Sequence, residues 1–237
     1  MTVLRTSLDQ RRDEFDTHYA LAVALEDRIF AGETVSIGET QLSARHLLTM
    51  KSGLVVHLYN IVEAIMSRAI DQVGDAVGAV RPRDWSASAL REWLREYAVA
   101  RVEGSEDNRL KTVHDMSLRL LGETPLGPQR FKKPTGTWTD KRIATFAKRL
   151  GVNFELPEEM WRRIAPKSEL GDVSPLEFLA DRRNAIAHGR RSFEEGANDL
   201  TLVGIRELAN VTLDYLELTA NAFQAYIDQK HYIVVIA

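Results

Sequence analysis

Apolar residues recur at steps of three, four or seven almost everywhere along this chain of 237 residues. That period lines one face of an α-helix and cannot line one face of a strand. The fold class it predicts is all-α, an up-and-down helical bundle. Leu4, Leu8, Phe15, Tyr19, Ala22, Leu25 and Ile29 form a first stripe, with Gly32 as its stop. A polar connector around Ser36 and Gly38 leads to a second stripe of Leu47, Leu54, Leu58, Ile61, Val62, Ile65, Ala69 and Val73, ending near Gly74 and Gly78. RPRDW breaks the helical pattern, and Ser86 or Ser88 can cap the run carrying Leu90, Trp93, Leu94 and Tyr97. A further helix holds Leu110, Val113, Leu120 and Leu121. Thr139 can cap DKRIATFAKRL, which Gly151 ends; a small helix follows Pro157, and a last long one runs from about Leu202 to Asp228. The closing HYIVVIA is strand-like in composition but has no identifiable partner.

Between these helices GETPLGPQRFKKPTGTW mixes prolines and glycines with Arg130, Lys132 and Lys133, which predicts an extended, mobile and locally basic loop. The organisation expected is a single helical domain over 1–237, with a helical and loop insertion at about 85–165. Trp85, Trp93, Trp138 and Trp161 are scattered as core anchors would be. The chain has no cysteine, which excludes disulfides, thiolate metal sites and cysteine nucleophiles. Its net charge is −3, so a polyanion must be held by a local basic site and not by a global field. MTVLRTSLDQRRDEF lacks the apolar run of a signal peptide, and no window reaches the roughly 18 uninterrupted apolar residues of a membrane span. A cytoplasmic protein is the expectation.

The chemistry concentrates in DRRNAIAHGRR, residues 181–191. SPLE at Ser174 to Glu177 is a capping box with proline at the first helical position, and Gly189 closes the helix it starts. At about 100° per residue, Leu176, Leu179, Ala180, Ile186 and Ala187 share one arc. Arg183 falls in the middle of that arc and Arg182 points to solvent. A buried arginine needs an acid, a carbonyl or an anion to meet its charge. Asn184 and His188 lie four apart on a flank beside it. Arginine ahead of histidine also occurs at Arg11 or Arg12 with His18 and at Arg109 with His114, so the spacing alone decides nothing. Only Arg183 is followed directly by asparagine, and only its pair sits on a capped helix that glycine closes. The alternative is a structural helix end whose arginine simply finds a partner.

RNAIAHG resembles the R-N-x-x-x-H signature of HEPN domains, helical bundles that include many prokaryotic toxins and defence ribonucleases. YNIVEAIMSRAI at Tyr59 to Ile70, GTWTDKRIATFAKRLGV at Gly136 to Val152 and YIDQKHY near the end are similar to the branch related to RiboL-PSP-HEPN proteins. The likeness covers about half of the chain. Arg190 stands where some toxins of the superfamily carry a tyrosine that an antitoxin adenylylates, which puts that mode of neutralisation in doubt.

The resemblance implies an endoribonuclease that needs no metal and no cofactor, with Arg183, Asn184 and His188 as its catalytic set. The substrate's 2′-hydroxyl is then the nucleophile, and the protein supplies proton transfer and positive charge. An imidazole suits the proton roles and a planar guanidinium matches phosphate oxygens. It also implies a homodimer facing two His188 across one cleft, an RNA substrate, and an antitoxin or defence-system partner protein. Glu63 is the candidate to pair with Arg183, against the alternative of a solvated acid, and Tyr59 lies one turn before it. Arg190, Arg191, Arg130, Lys132 and Lys133 are candidates for RNA backbone contact. A rival reading makes the chain a non-catalytic helical interaction or nucleotide-binding module. The dipeptide His114-Asp115 admits an HD-type phosphohydrolase if other ligands converge on it. His46 and His57 lack metal-chelate spacing, and no phosphate-binding glycine loop occurs.

Overall fold

The helical pattern is realised in a computed structural model that describes residues 2–99 and 103–234. Its elements are α1 (Val3–Phe30), β1 (Val35–Ile37), β2 (Thr40–Leu42), α2 (Ala44–Gly78), α3 (Ala87–Leu94), α4 (Glu106–Leu121), α5 (Asp140–Leu150), α6 (Glu158–Ile164), α7 (Pro175–Ala187) and α8 (Leu202–Asp228). Among the described residues the only sheet is the β1-β2 hairpin, so the chain is all-α in class. That hairpin replaces the polar connector expected around Ser36. Ile37 pairs with Thr40, which leaves a two-residue loop, and Gly38 at its first position takes φ 58°. A glycine there matches the right-handed twist of the flanking strands. Three-residue strands are too short to reveal alternation, which is why the sequence pattern hid them.

The chain divides into two compact units. The first comprises Met1–Ile65, Thr137–Asp140 and Leu156–Glu217, and the second Met66–Gly136, Lys141–Glu155 and Leu218–Ala237. In the first unit, Thr2 caps α1, and Leu4, Leu8, Phe15, Ala22 and Leu25 are buried as their spacing demands. Tyr19, half-buried, donates its hydroxyl proton to the Leu202 carbonyl at 3.0 Å. Tyr215 is fully buried and donates to the Asp140 carbonyl at 3.1 Å. Burial therefore pushes its phenol far above the ordinary tyrosine value. Trp161 departs from the core-anchor expectation. It is 56% exposed, on the outer face of a helix only seven residues long.

In the second unit Ser86 caps α3, and the indole N–H of the buried Trp93 donates to Gln129 Oε1 at 2.7 Å. Gln129 and Phe131 are themselves buried, and the N–H groups of Gly127 and Gln129 donate to the carbonyls of Gly78 and Gly74, each at 3.1 Å. A Cβ at Gly74 or Gly78 would overlap the facing carbonyl oxygen of Gln129 or Gly127, so these glycines let two backbones touch. The segment expected to be a mobile loop is thus anchored; its backbone groups are satisfied on a helix end that its own composition does not encode. The helix carrying Leu110 and Val113 forms as α4, but no residue on it is buried, and Leu110, Val113, Leu118 and Leu121 face outward. HYIVVIA does find a partner: Ile233 forms an antiparallel bridge with Trp85, and Val234 N–H donates to the Asp84 carbonyl at 2.8 Å. Its last three residues lie outside the described ones. α2 is long and apolar enough to cross a membrane, but over half of its most apolar window is buried within the protein, as in a core helix.

Candidate active site

The site is built on α7. Ser174 accepts from the Glu177 N–H at 3.2 Å and also donates to the Asp140 carboxylate, while Pro175 fills the first helical position. At the other end His188 is the C-cap, with its N–H donating to the Asn184 carbonyl at 3.0 Å. Gly189 follows at φ 68°, a conformation that costs glycine little, and Arg191 N–H returns to the Ala185 carbonyl at 3.1 Å.

The two arginines exchange the places expected of them. Arg182 is the buried one, 8% exposed, with its guanidinium 4.7 Å from the Phe178 ring centroid. It donates to both oxygens of Asp199, at 2.7 and 2.8 Å, and to the Gly196 carbonyl at 3.0 Å. Burial pushes the Asp199 carboxyl up, but the hydrogen bonds and charge of Arg182 outweigh it and hold the carboxyl below its ordinary value. Segment 189–200 causes the exchange by folding back over this side of α7. A helical wheel drawn from α7 alone cannot contain that covering layer. Ala187, expected on the packed arc, is exposed.

Arg183 is partly open, its side chain 25% exposed. Its Nη2 donates to Glu63 Oε2 at 2.6 Å and its Nη1 to Asn184 Oδ1 at 3.2 Å, while its guanidinium lies 5.1 Å from the Tyr59 ring centroid. Tyr59 and Glu63 are one turn apart on α2 and present one surface to α7. The ring is held from below, because the Tyr59 hydroxyl accepts from the Trp138 N–H at 2.8 Å. Burial pushes the Tyr59 phenol above its ordinary value, so it serves as a neutral platform. The structure thus brings Tyr59, Glu63, Arg183 and Asn184 into one cluster, with His188 one helical turn beyond Asn184. The His188 side chain is exposed and hydrogen-bonds to no described residue.

Arg190 and Arg191 follow directly. With Asp181 and Arg182 they help to line a cavity of about 440 Å³. Arg130, Lys132 and Lys133 belong to the second unit. There Lys133 Nζ donates to Ser67 Oγ at 2.8 Å, and Arg130 and Lys133 share a cavity of about 460 Å³ with Asp71 and Asp75. The basic segment therefore faces two carboxylates of α2 across that cavity. The Arg182-Asp199 clamp was missed because nothing in the sequence marks a partner 17 residues away. His114 Nδ1 and Asp115 Oδ1 lie 3.8 Å apart, both exposed. No group of three or more His, Cys, Asp or Glu able to hold a metal occurs among the described residues, so the HD-type reading finds no ligand set. His46 faces Ser43, and His57 faces His18. Burial and the adjacent His18 push the His57 imidazole below its ordinary value.

An all-α chain that sets Arg-Asn-x-x-x-His at the open end of a capped helix has the fold class and the signature of a HEPN domain. The chain belongs to that superfamily: the family model described as MAE_28990-like HEPN matches residues 2–232. Comparisons with curated proteins and with solved structures gave no match.

Proposed function

We propose that this chain is a metal-independent RNA endonuclease acting as the toxic or effector component of a toxin-antitoxin or antiphage system. One observation carries the reading: Arg183 is oriented by Tyr59, Glu63 and Asn184 while the His188 imidazole stands free one turn away. The ribose 2′-oxygen attacks the adjacent phosphorus and loses its proton to one imidazole. The bond from phosphorus to the 5′-oxygen breaks, and that oxygen takes a proton from a protonated imidazole. Arg183 meets the charge that accumulates on the phosphate. In-line transfer places base and acid on opposite sides, and one chain has one His188. A homodimer supplies both, with Arg190 and Arg191 flanking each site as contacts for neighbouring phosphates.

The products test the chemistry. Incubated with RNA in excess EDTA, the protein is expected to leave 2′,3′-cyclic phosphate and 5′-hydroxyl ends and to spare the 2′-deoxy strand of the same sequence. A 5′-phosphate product, cleavage of the deoxy strand, or complete loss of activity in chelator would overturn the assignment. Light scattering coupled to size exclusion is expected to give twice the 26.8 kDa chain mass at micromolar concentration. A monomer that still cleaves RNA would contradict the two-histidine mechanism. The second reading, a non-catalytic interaction or nucleotide-binding module, is favoured by one feature: Glu63 already neutralises Arg183, so an incoming phosphate must compete with that carboxylate for the guanidinium. RNA left intact by a well-folded dimer would select it.

A further inference from the structure

We propose that His18 on α1 and His57 on α2 form a binding site for a divalent first-row transition-metal ion, one that clips the two helices together. The two Nδ1 atoms face each other at 3.2 Å, with the rings 79° apart and their centroids 5.1 Å from one another. Two imidazole nitrogens bound at ~2.0–2.1 Å to a tetrahedral ion are about 3.3 Å apart, so the pair already spans the edge of a coordination polyhedron. Without metal, that separation holds one hydrogen bond, in which one neutral ring is the Nδ1–H tautomer and the other accepts. Metal binding moves that proton to the Nε2 of the same ring and gives both Nδ1 lone pairs to the ion, with no net proton released.

The surroundings suit an open site. Glu14, one turn before His18, and Thr17, Val56 and Asn60 line a groove of about 560 Å³ beside the pair. Glu14 contributes negative charge and Arg11 opposes it. No third His, Asp or Glu closes the ligand set among the described residues, so water fills the remaining positions. Phe15, its ring centroid 5.9 Å from that of His57, backs the site on the core side and limits how far that ring can swing. The chemistry selects copper, nickel and zinc over magnesium and calcium, since imidazole is a poor ligand for the hard cations. These residues are separate from Arg183 and His188, so the inference does not rest on the proposed nuclease activity.

Calorimetric titration of the full, tag-free chain with Zn(II) and with Ni(II) tests it. One ion per chain is expected, together with a Tm rise of about 3–6 °C at a tenfold excess over Kd. His18→Gln and His57→Gln should each weaken binding at least tenfold, whereas His114→Gln should not. Circular dichroism of each variant checks that the helices remain. Absence of binding to the unmodified chain would overturn the site. Binding that survives either substitution would also overturn it, because a bridge needs both rings.

Discussion

His188→Ala is expected to lower RNA cleavage by about two to four orders of magnitude while leaving Tm within about 2 °C of the parent. The two halves of this expectation have separate causes. The backbone of His188 completes α7, and alanine makes the same N–H bond to the Asn184 carbonyl. The imidazole is exposed and unbonded, so its removal opens no cavity and orphans no buried group. Its cost therefore falls on proton transfer alone. Single-turnover cleavage of a defined RNA, beside a thermal melt of the same preparation, reads both halves. Unchanged cleavage would remove His188 from the mechanism.

Arg182→Ala is expected to cost about 2 kcal/mol and to lower Tm by about 4–8 °C, whereas Arg183→Ala should lower Tm far less and abolish cleavage. Arg182 is buried against Phe178 and satisfies Asp199 and the Gly196 carbonyl. Removing it strips three charge-assisted hydrogen bonds and leaves a void beneath segment 189–200. Because Asp199 is half exposed, water recovers part of its loss, and the estimate stays at the lower end for a broken ion pair. Arg183 and Glu63 both reach solvent, so their separation costs the fold little. Parallel melts and cleavage assays on the two variants check the division of labour. Equal losses of stability would refute it.

This pair of neighbours shows how far the sequence could be read. The two ends of α7 were legible, because a serine cap, a proline at the first turn and a closing glycine are local signals whose physics lies within a few residues. α1, α2 and α8 were legible for a related reason: periodicity over seven or more turns leaves one solution. The pairing of Glu63 with Arg183 was open to inference, since both were candidates, although the reason for it, an inward-facing arginine, applies to Arg182 instead. The identity of the buried arginine was not, because the layer that buries Arg182 comes from segment 189–200. α4 fails in the same way. Its stripe is real, but none of its residues is buried, and no residue within the helix could report that. The pairing of His18 with His57 escaped too, since the two lie 39 residues apart and no motif joins them.

The C-terminal turn of α7 divides His188 between two regimes, its amide inside the helix and its side chain in water. The last turn of a helix is the part that frays most readily, opening by local events far cheaper than global unfolding. Each such opening carries the imidazole away from Asn184 and Arg183 while the core stays intact. Amide exchange at His188 therefore measures the fraction of time the site is assembled, without substrate. Mild heat or denaturant should silence the chain before any change in bulk structure is seen.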